Sequence, residues 1–341
     1  MKQEHGGNMA GRGLMDFSVN LNPLGMPESV RRAVIASAES WERYPDPDCR
    51  ELTEKLSERE GVPPGNIVCG NGAADLIYRF VHAFKPKKAV ICAPTFGEYP
   101  KALAEAGSEI REHFLAEEDG FGLTYRILDE LDGGADTLIL CSPNNPTGRL
   151  VPPDLLSRIA ETCLRRGITL FCDECFIGFA ENGGERSLKR FMNEKCIVLN
   201  AFTKLYAMAG LRLGYALCGS EETAEKLRRS GQYWSVSSAA QAAGTAALSE
   251  CGFAEKTVSL ISAERKFLLD SLGDLGFKTF SSEANFLLFK GGKGLDDRLL
   301  REGFLIRNCD SYSGLGEGFC RIAVRGHSEN EKLINALGRC R

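Results

Sequence analysis

Between residues 196 and 215 the chain reads C-I-V-L-N-A-F-T-K-L-Y-A-M-A-G-L-R-L-G-Y. A buried-looking strand, Cys196 to Asn200, runs into a polar turn with Thr203 and Lys204, and Arg212 comes eight residues after the lysine. Lysine forms imines with carbonyl compounds only when burial or neighbouring cations depress its pKa. The spacing therefore suggests a lysine aimed into a site beside an anion holder. On its own such a pair is more often a surface lysine and a snorkelling arginine, so the case rests on the rest of the chain.

Four further loops supply it. G-N-G-A-A-D, from Gly70 to Asp75, opens a helix after a strand-like I-V-C, and a helix start offers free N–H groups and a positive dipole end to a phosphate. A-P-T-F-G-E-Y places Phe96 just after the strand candidate Ala89 to Ala93, where a ring can stack on a planar ligand or simply fill core. S-P-N-N-P-T-G (Ser142 to Gly148) and D-E-C-F (Asp173 to Phe176) follow the next two strand ends. Asp173, closing an apolar strand, is expensive unless a cation pairs with it, and a pyridinium N–H is such a partner. Together these loops ask for a flat, phosphorylated aldehyde with a cationic ring: pyridoxal 5′-phosphate.

The elements that must position these loops are short apolar strands, Ala89–Ala93, Thr137–Cys141, Ile168–Cys172, Cys196–Asn200 and Leu213–Cys218. Helical stretches at Ala74–Phe84, Glu98–Ala106 and Pro153–Arg166 alternate with them, as in a largely parallel sheet covered on both faces. Ligands bind such sheets at the carboxyl ends of the strands. After Ser235 a long helix-rich stretch (Ser238–Leu272) and widely spaced strands indicate a smaller α+β domain, which the Gly- and Pro-rich N-terminal arm can join. The expected domains are 1–44 (arm and part of the small domain), 45–235 (large, cofactor-binding) and 236–341 (small, C-terminal).

At 341 residues the chain exceeds one core. A net charge of −4 leaves no basic footprint for nucleic acid. Thirteen cysteines, scattered apart from the single C-x-x-C spacing of Cys172 and Cys175, read as free thiols of a reducing cytoplasm rather than disulfides or a metal site. No apolar run approaches the roughly 18 residues of a membrane span, so a cytoplasmic protein is expected.

In this order S-P-N-N-P-T-G, D-E-C-F and T-K-x7-R resemble the fold type I pyridoxal-phosphate enzymes of the class I/II aminotransferase family, over essentially the whole chain. The resemblance implies an α/β fold, with a mostly parallel seven-stranded sheet in the large domain and a smaller α+β domain. It implies that Lys204 bonds the cofactor aldehyde, Asp173 pairs with the pyridine nitrogen, Asn145 donates to the ring O3′ and Phe96 stacks on the ring. Gly72, Ala73, Ala74, Thr203 and Arg212 would hold the cofactor phosphate. Arg321, in C-R-I-A-V, matches the arginine that binds the substrate carboxylate. Tyr44, in R-Y-P-D-P, matches a tyrosine that reaches the phosphate of the neighbouring subunit's cofactor, which implies a homodimer with shared active sites. One departure stands out: Phe176 replaces the tyrosine usual in the D-E-x-Y motif, removing a phenol that bonds O3′ and altering the pKa of the lysine–cofactor linkage.

Within the family, the arm H-G-G-N with D-F-S-V-N-L-N-P-L-G-M-P, and the C-terminal I-R-N-C-D-S-Y-S-G-L-G-E-G-F-C-R-I-A-V-R, resemble threonine-phosphate decarboxylases of cobalamin biosynthesis; histidinol-phosphate aminotransferases are the alternative. The first resemblance implies a small phosphorylated amino acid as substrate. His5, the backbone at Gly6, Asn20, Asn145, Arg307 and Arg321 are then the candidate contacts for its phosphate and carboxylate. Phosphothreonine and phosphoserine stay unseparated, since one methyl is worth only about 1 to 3 kcal/mol in a pocket.

Overall fold

The computed structural model describes Gly7 and residues 13–341. Its strands, in chain order, are β1 (Met15–Asp16), β2 (Ile67–Gly70), β3 (Lys88–Ala93), β4 (Glu109–Phe114), β5 (Thr137–Cys141), β6 (Thr169–Asp173), β7 (Cys196–Ala201), β8 (Gly214–Cys218), β9 (Lys278–Thr279), β10 (Phe286–Lys290), β11 (Phe304–Leu305), β12 (Arg307–Asn308) and β13 (Phe319–Ala323). Seven of them form one sheet in the order β2-β8-β7-β6-β5-β3-β4. The pairs from β4 through β7 are parallel, and β8 runs antiparallel to both β7 and β2. The sheet is thus mixed but mostly parallel, as the apolar strands predict. Strand order reverses beside β3, which β4 flanks on one side and β5 on the other, and a crevice opens at such a point at the carboxyl ends.

β4 is not among the runs that the apolar pattern selects. Its E-I-R-E-H-F is largely polar because it is the edge strand, with Glu109, Arg111 and Phe114 exposed.

A second sheet, β12-β13-β10-β9, is antiparallel. It packs on the helices Phe253–Asp274 and His327–Cys340 through a core that includes Ile261, Leu268, Phe286, Phe289, Ile322 and Leu333. The arm joins this unit. β1 pairs in parallel with β11, and the Phe17 carbonyl accepts the Ala323 N–H at 2.8 Å.

Packing cuts across the expected boundaries at 44 and 235. The helices Glu28–Ala36 and Ser238–Leu248 lie against each other, and Val30, Ala240, Ala243 and Ala247 share the core of Leu52, Leu56 and Leu213 beneath the large sheet. Small residues allow that approach: a Cβ on Gly244 would come within 2.5 Å of Leu213 Cδ2 and 2.8 Å of Leu52 Cδ1. The helix-rich stretch Ser238–Leu272 is in fact two helices, Ser238–Leu248 and Phe253–Asp274, parted where Gly252 takes φ +73°.

Candidate active site

A cavity of about 360 Å³ opens at the carboxyl ends of β5, β6 and β7 and is closed on its far side by the arm and by β12 and β13. Lys204 enters it from the short helix Phe202–Leu205 that follows β7. Burial, and next the Arg321 guanidinium, bring its amine from an ordinary 10.5 down to about 8. The turn is held from behind by Asn22. Its backbone N–H donates to the Lys204 carbonyl (3.1 Å), and its Nδ2 donates to the Leu205 carbonyl and to Thr257 Oγ1, both at 2.7 Å.

Asp173 ends β6 and is 5% exposed. Burial raises its pKa, and the donors around it work against that rise. Its Oδ1 accepts the Cys175 N–H at 2.9 Å and its Oδ2 the Tyr99 hydroxyl at 2.7 Å. A buried carboxylate kept on two donors is ready for a cation.

On one flank Ala73, Ala74, Thr203 and Arg212 line the wall. Gly72 starts the helix Gly72–Phe84, whose first amides have no intrahelical acceptor. Gly72 takes φ +79°, and a Cβ there would sit 2.5 Å from Arg212 Nη2, so the guanidinium lies over the helix start only because that residue is glycine. Arg212 itself adopts φ +58°, a conformation that costs a side-chain-bearing residue about 1 to 3 kcal/mol and that clusters at functional sites. Amides, hydroxyl and guanidinium together are the donor set of a phosphate cup.

Phe96 lines the cavity and meets Tyr99 edge-on, with centroids 5.6 Å apart. Phe176 lines it too, edge-on to Phe286 at 5.0 Å, and brings no hydroxyl. On the opposite flank Arg321 donates through Nη1 to Asn145 Oδ1 and through Nη2 to the Ser18 carbonyl (2.7 Å). That contact fixes the Asn145 amide with its Nδ2 as the donating end. Arg307 lies over the Tyr312 ring, 5.7 Å from its centroid. Asn20 Oδ1 and Arg321 Nε, both on cavity-lining residues, are buried without a hydrogen-bond partner among the described residues. Buried polar atoms left this way are what a bound polar ligand satisfies.

The structure thus brings Lys204, Asp173, Ala73, Ala74, Phe96, Asn145, Thr203, Arg212, Asn20, Arg307 and Arg321 to one cavity, with Gly72 immediately behind its wall. Tyr44 is not there. It is 77% exposed and stacked on Trp234 at 4.3 Å. His5 and Gly6 lie outside the described residues. Tyr99 and Tyr312 line the cavity without having been singled out. Tyr99 was legible, three residues after Phe96 in A-P-T-F-G-E-Y and so on the same side of the helix start. Tyr312 carried no comparable signal. Among the described residues no group of three or more His, Cys, Asp or Glu is placed to hold a metal ion, and no helix is long and apolar enough to cross a membrane.

A family model described as aminotransferase class I and II matches residues 12–337. The chain belongs to that family. It is similar to a threonine-phosphate decarboxylase from Salmonella typhimurium, 40% identical over 330 residues covering 95% of this chain and 90% of that protein. It is also similar to a histidinol-phosphate aminotransferase from Methanosarcina mazei, at 33% identity over 95% of this chain and 87% of the other. Among solved structures, the histidinol-phosphate aminotransferase from Clostridium acetobutylicum superposes with a TM-score of 0.89 at 28% identity, covering 96% and 98% of the two chains. Aspartate aminotransferase from Thermus thermophilus, at 23% identity and a TM-score of 0.84 over 96% and 92%, shares the fold. The fold is type I, and pyridoxal 5′-phosphate is the cofactor. The residues present fit it: a depressed lysine, a buried carboxylate, a ring face at Phe96 and a cup for phosphate around Gly72.

Proposed function

We propose that this enzyme removes CO2 from L-threonine O-3-phosphate, giving (R)-1-amino-2-propanol O-2-phosphate for the nucleotide loop of cobalamin. The observation that carries the reading is the pair of buried arginines. Arg307 and Arg321, 4% and 5% exposed, line the same cavity as Lys204. A plain amino acid offers one carboxylate, whereas two buried guanidiniums lining one cavity suit a substrate with two anionic ends. The similarity to the Salmonella threonine-phosphate decarboxylase supports the same choice.

Bound pyridoxal phosphate supplies an aldehyde and a cationic ring that takes up the electron pair of a broken Cα bond. The residues decide which bond that is. The Lys204 amine, brought down to about 8, exists in both forms near that pH: neutral it can attack the cofactor aldehyde, and protonated it could hand a proton to the substrate carbon. Asp173 keeps a negative charge where the ring needs one. Arg307, with Asn20 and the arm at His5 and Gly6, holds the substrate phosphate, while Arg321 and Asn145 orient the other end so that the carboxylate leaves. Phe96 stacks on the ring, and Gly72, Ala73, Ala74, Thr203 and Arg212 hold its phosphate. Tyr44 reaches the site of a neighbouring subunit in a homodimer. Thirteen free cysteines support a cytoplasmic setting.

Amino transfer between histidinol phosphate and 2-oxoglutarate is the alternative, favoured by the relatives named histidinol-phosphate aminotransferase. The deciding experiment measures CO2 and aminopropanol phosphate from phosphothreonine, beside glutamate formed from histidinol phosphate and 2-oxoglutarate. Efficient amino transfer without CO2 release overturns the decarboxylase reading.

A further inference from the structure

Tyr99 is 1% exposed, lines the cavity and donates its hydroxyl to Asp173 Oδ2 at 2.7 Å. An ionised carboxylate only accepts, so the phenol must be the donor. Burial and the Asp173 charge push the phenol well above its ordinary pKa, so its proton is never lost at working pH. The same ring meets Phe96 edge-on at 81° between planes. One residue therefore touches both the group that faces the cofactor's charge and the group that faces its ring.

We propose that Tyr99 is a positioning residue that acts through Asp173, holding the carboxylate ionised and fixed so that the cofactor's ring nitrogen stays protonated. The argument rests on Asp173 being the partner of that nitrogen. Without a second donor, a carboxylate this buried favours its neutral form, and the proton is then shared back from the ring. The backbone N–H of Cys175 satisfies only Oδ1. A tyrosine serving only to fill core would need no oxygen on the carboxylate, since its ring already packs against Phe96.

The test uses Tyr99→Phe, which deletes one oxygen, and cofactor labelled with 15N at the ring nitrogen. The labelled holoenzyme should show its nitrogen resonance displaced toward the unprotonated position. Cofactor affinity should fall by about tenfold to a hundredfold, the scale of one hydrogen bond to a charged group. Because the effect passes through Asp173, Tyr99→Phe made in an Asp173→Asn background should change affinity by less than about twofold. An unmoved 15N resonance in Tyr99→Phe, or the full affinity loss repeated in the Asp173→Asn background, overturns the proposal. A wild-type resonance already at the unprotonated position would instead sink the pairing of Asp173 with the ring on which the proposal stands.

Discussion

Arg307 and Arg321 are register partners: their Cα atoms stand opposite one another across the antiparallel pair β12–β13, so both side chains leave the same face of the small sheet. Like charges placed directly opposite are destabilising. The Asn145 and Ser18 oxygens absorb part of that cost at Arg321. An anion bound between the two would offset such repulsion further, which is the basis of the first prediction.

Arg307→Ala should therefore lower kcat/KM for phosphothreonine by about tenfold to a hundredfold, the equivalent of about 1.5 to 3 kcal/mol for a charge-assisted contact. Use of unphosphorylated threonine should change little. Equal losses on both substrates would move Arg307 off the phosphate.

Lys204 should carry the cofactor. Borohydride reduction followed by peptide mapping is expected to recover the label on Lys204, and Lys204→Ala should bind the cofactor without a covalent link. The amine sits near pH 8, so below that value most of it is protonated and unreactive. Capture of the cofactor by apoenzyme should accelerate about tenfold per pH unit up to near 8 and then level off. A rate still climbing at pH 10 would mean an unperturbed lysine.

Gly72→Ala should damage the phosphate cup without unfolding the chain. The added Cβ meets Arg212 Nη2 at 2.5 Å, at a backbone φ of +79° that alanine resists. The expectation is a cofactor dissociation constant raised at least about tenfold, from strain of about 1 to 2 kcal/mol plus the displaced guanidinium. An unchanged dissociation constant would show that Arg212 is not needed over the helix start.

If Tyr44 serves the neighbouring subunit's site, inactive Tyr44→Ala and Lys204→Ala chains should complement when mixed. One of the two sites in each hybrid dimer then has both wild-type residues. No recovery from chains that still fold and dimerise would assign Tyr44 to its own surface contact with Trp234.

What was legible in the sequence follows from where burial is two-sided. Thr137–Cys141 and Pro153–Arg166 were read to the residue, because a fully buried strand and a Pro-started amphipathic helix leave unambiguous patterns. Edge strand β4 carries no such pattern, since its charged and exposed positions, Glu109 and Arg111 among them, break the apolar run. The loop motifs placed Phe96, Asn145, Asp173 and Lys204 correctly at strand ends, yet the hydroxyl of Tyr99 on Asp173 joins residues 74 positions apart. No local pattern reports such a contact. The helix Ser238–Leu248 looked like part of the C-terminal unit by chain order, and only the fit of Gly244 against Leu213 and Leu52 assigns it to the larger core.

The Asn22 staple has a consequence for how this site can change over evolutionary time. One amide ties the arm that presents Ser18 and Asn20 to the turn that presents Lys204 and to the long helix beneath it. A mutation that re-aims the arm also tugs the turn of Lys204, so the two cavity walls are inherited together. New specificity in this scaffold is reached at lower cost from β12 and β13, which line the cavity through Arg307 and Arg321 without holding the lysine.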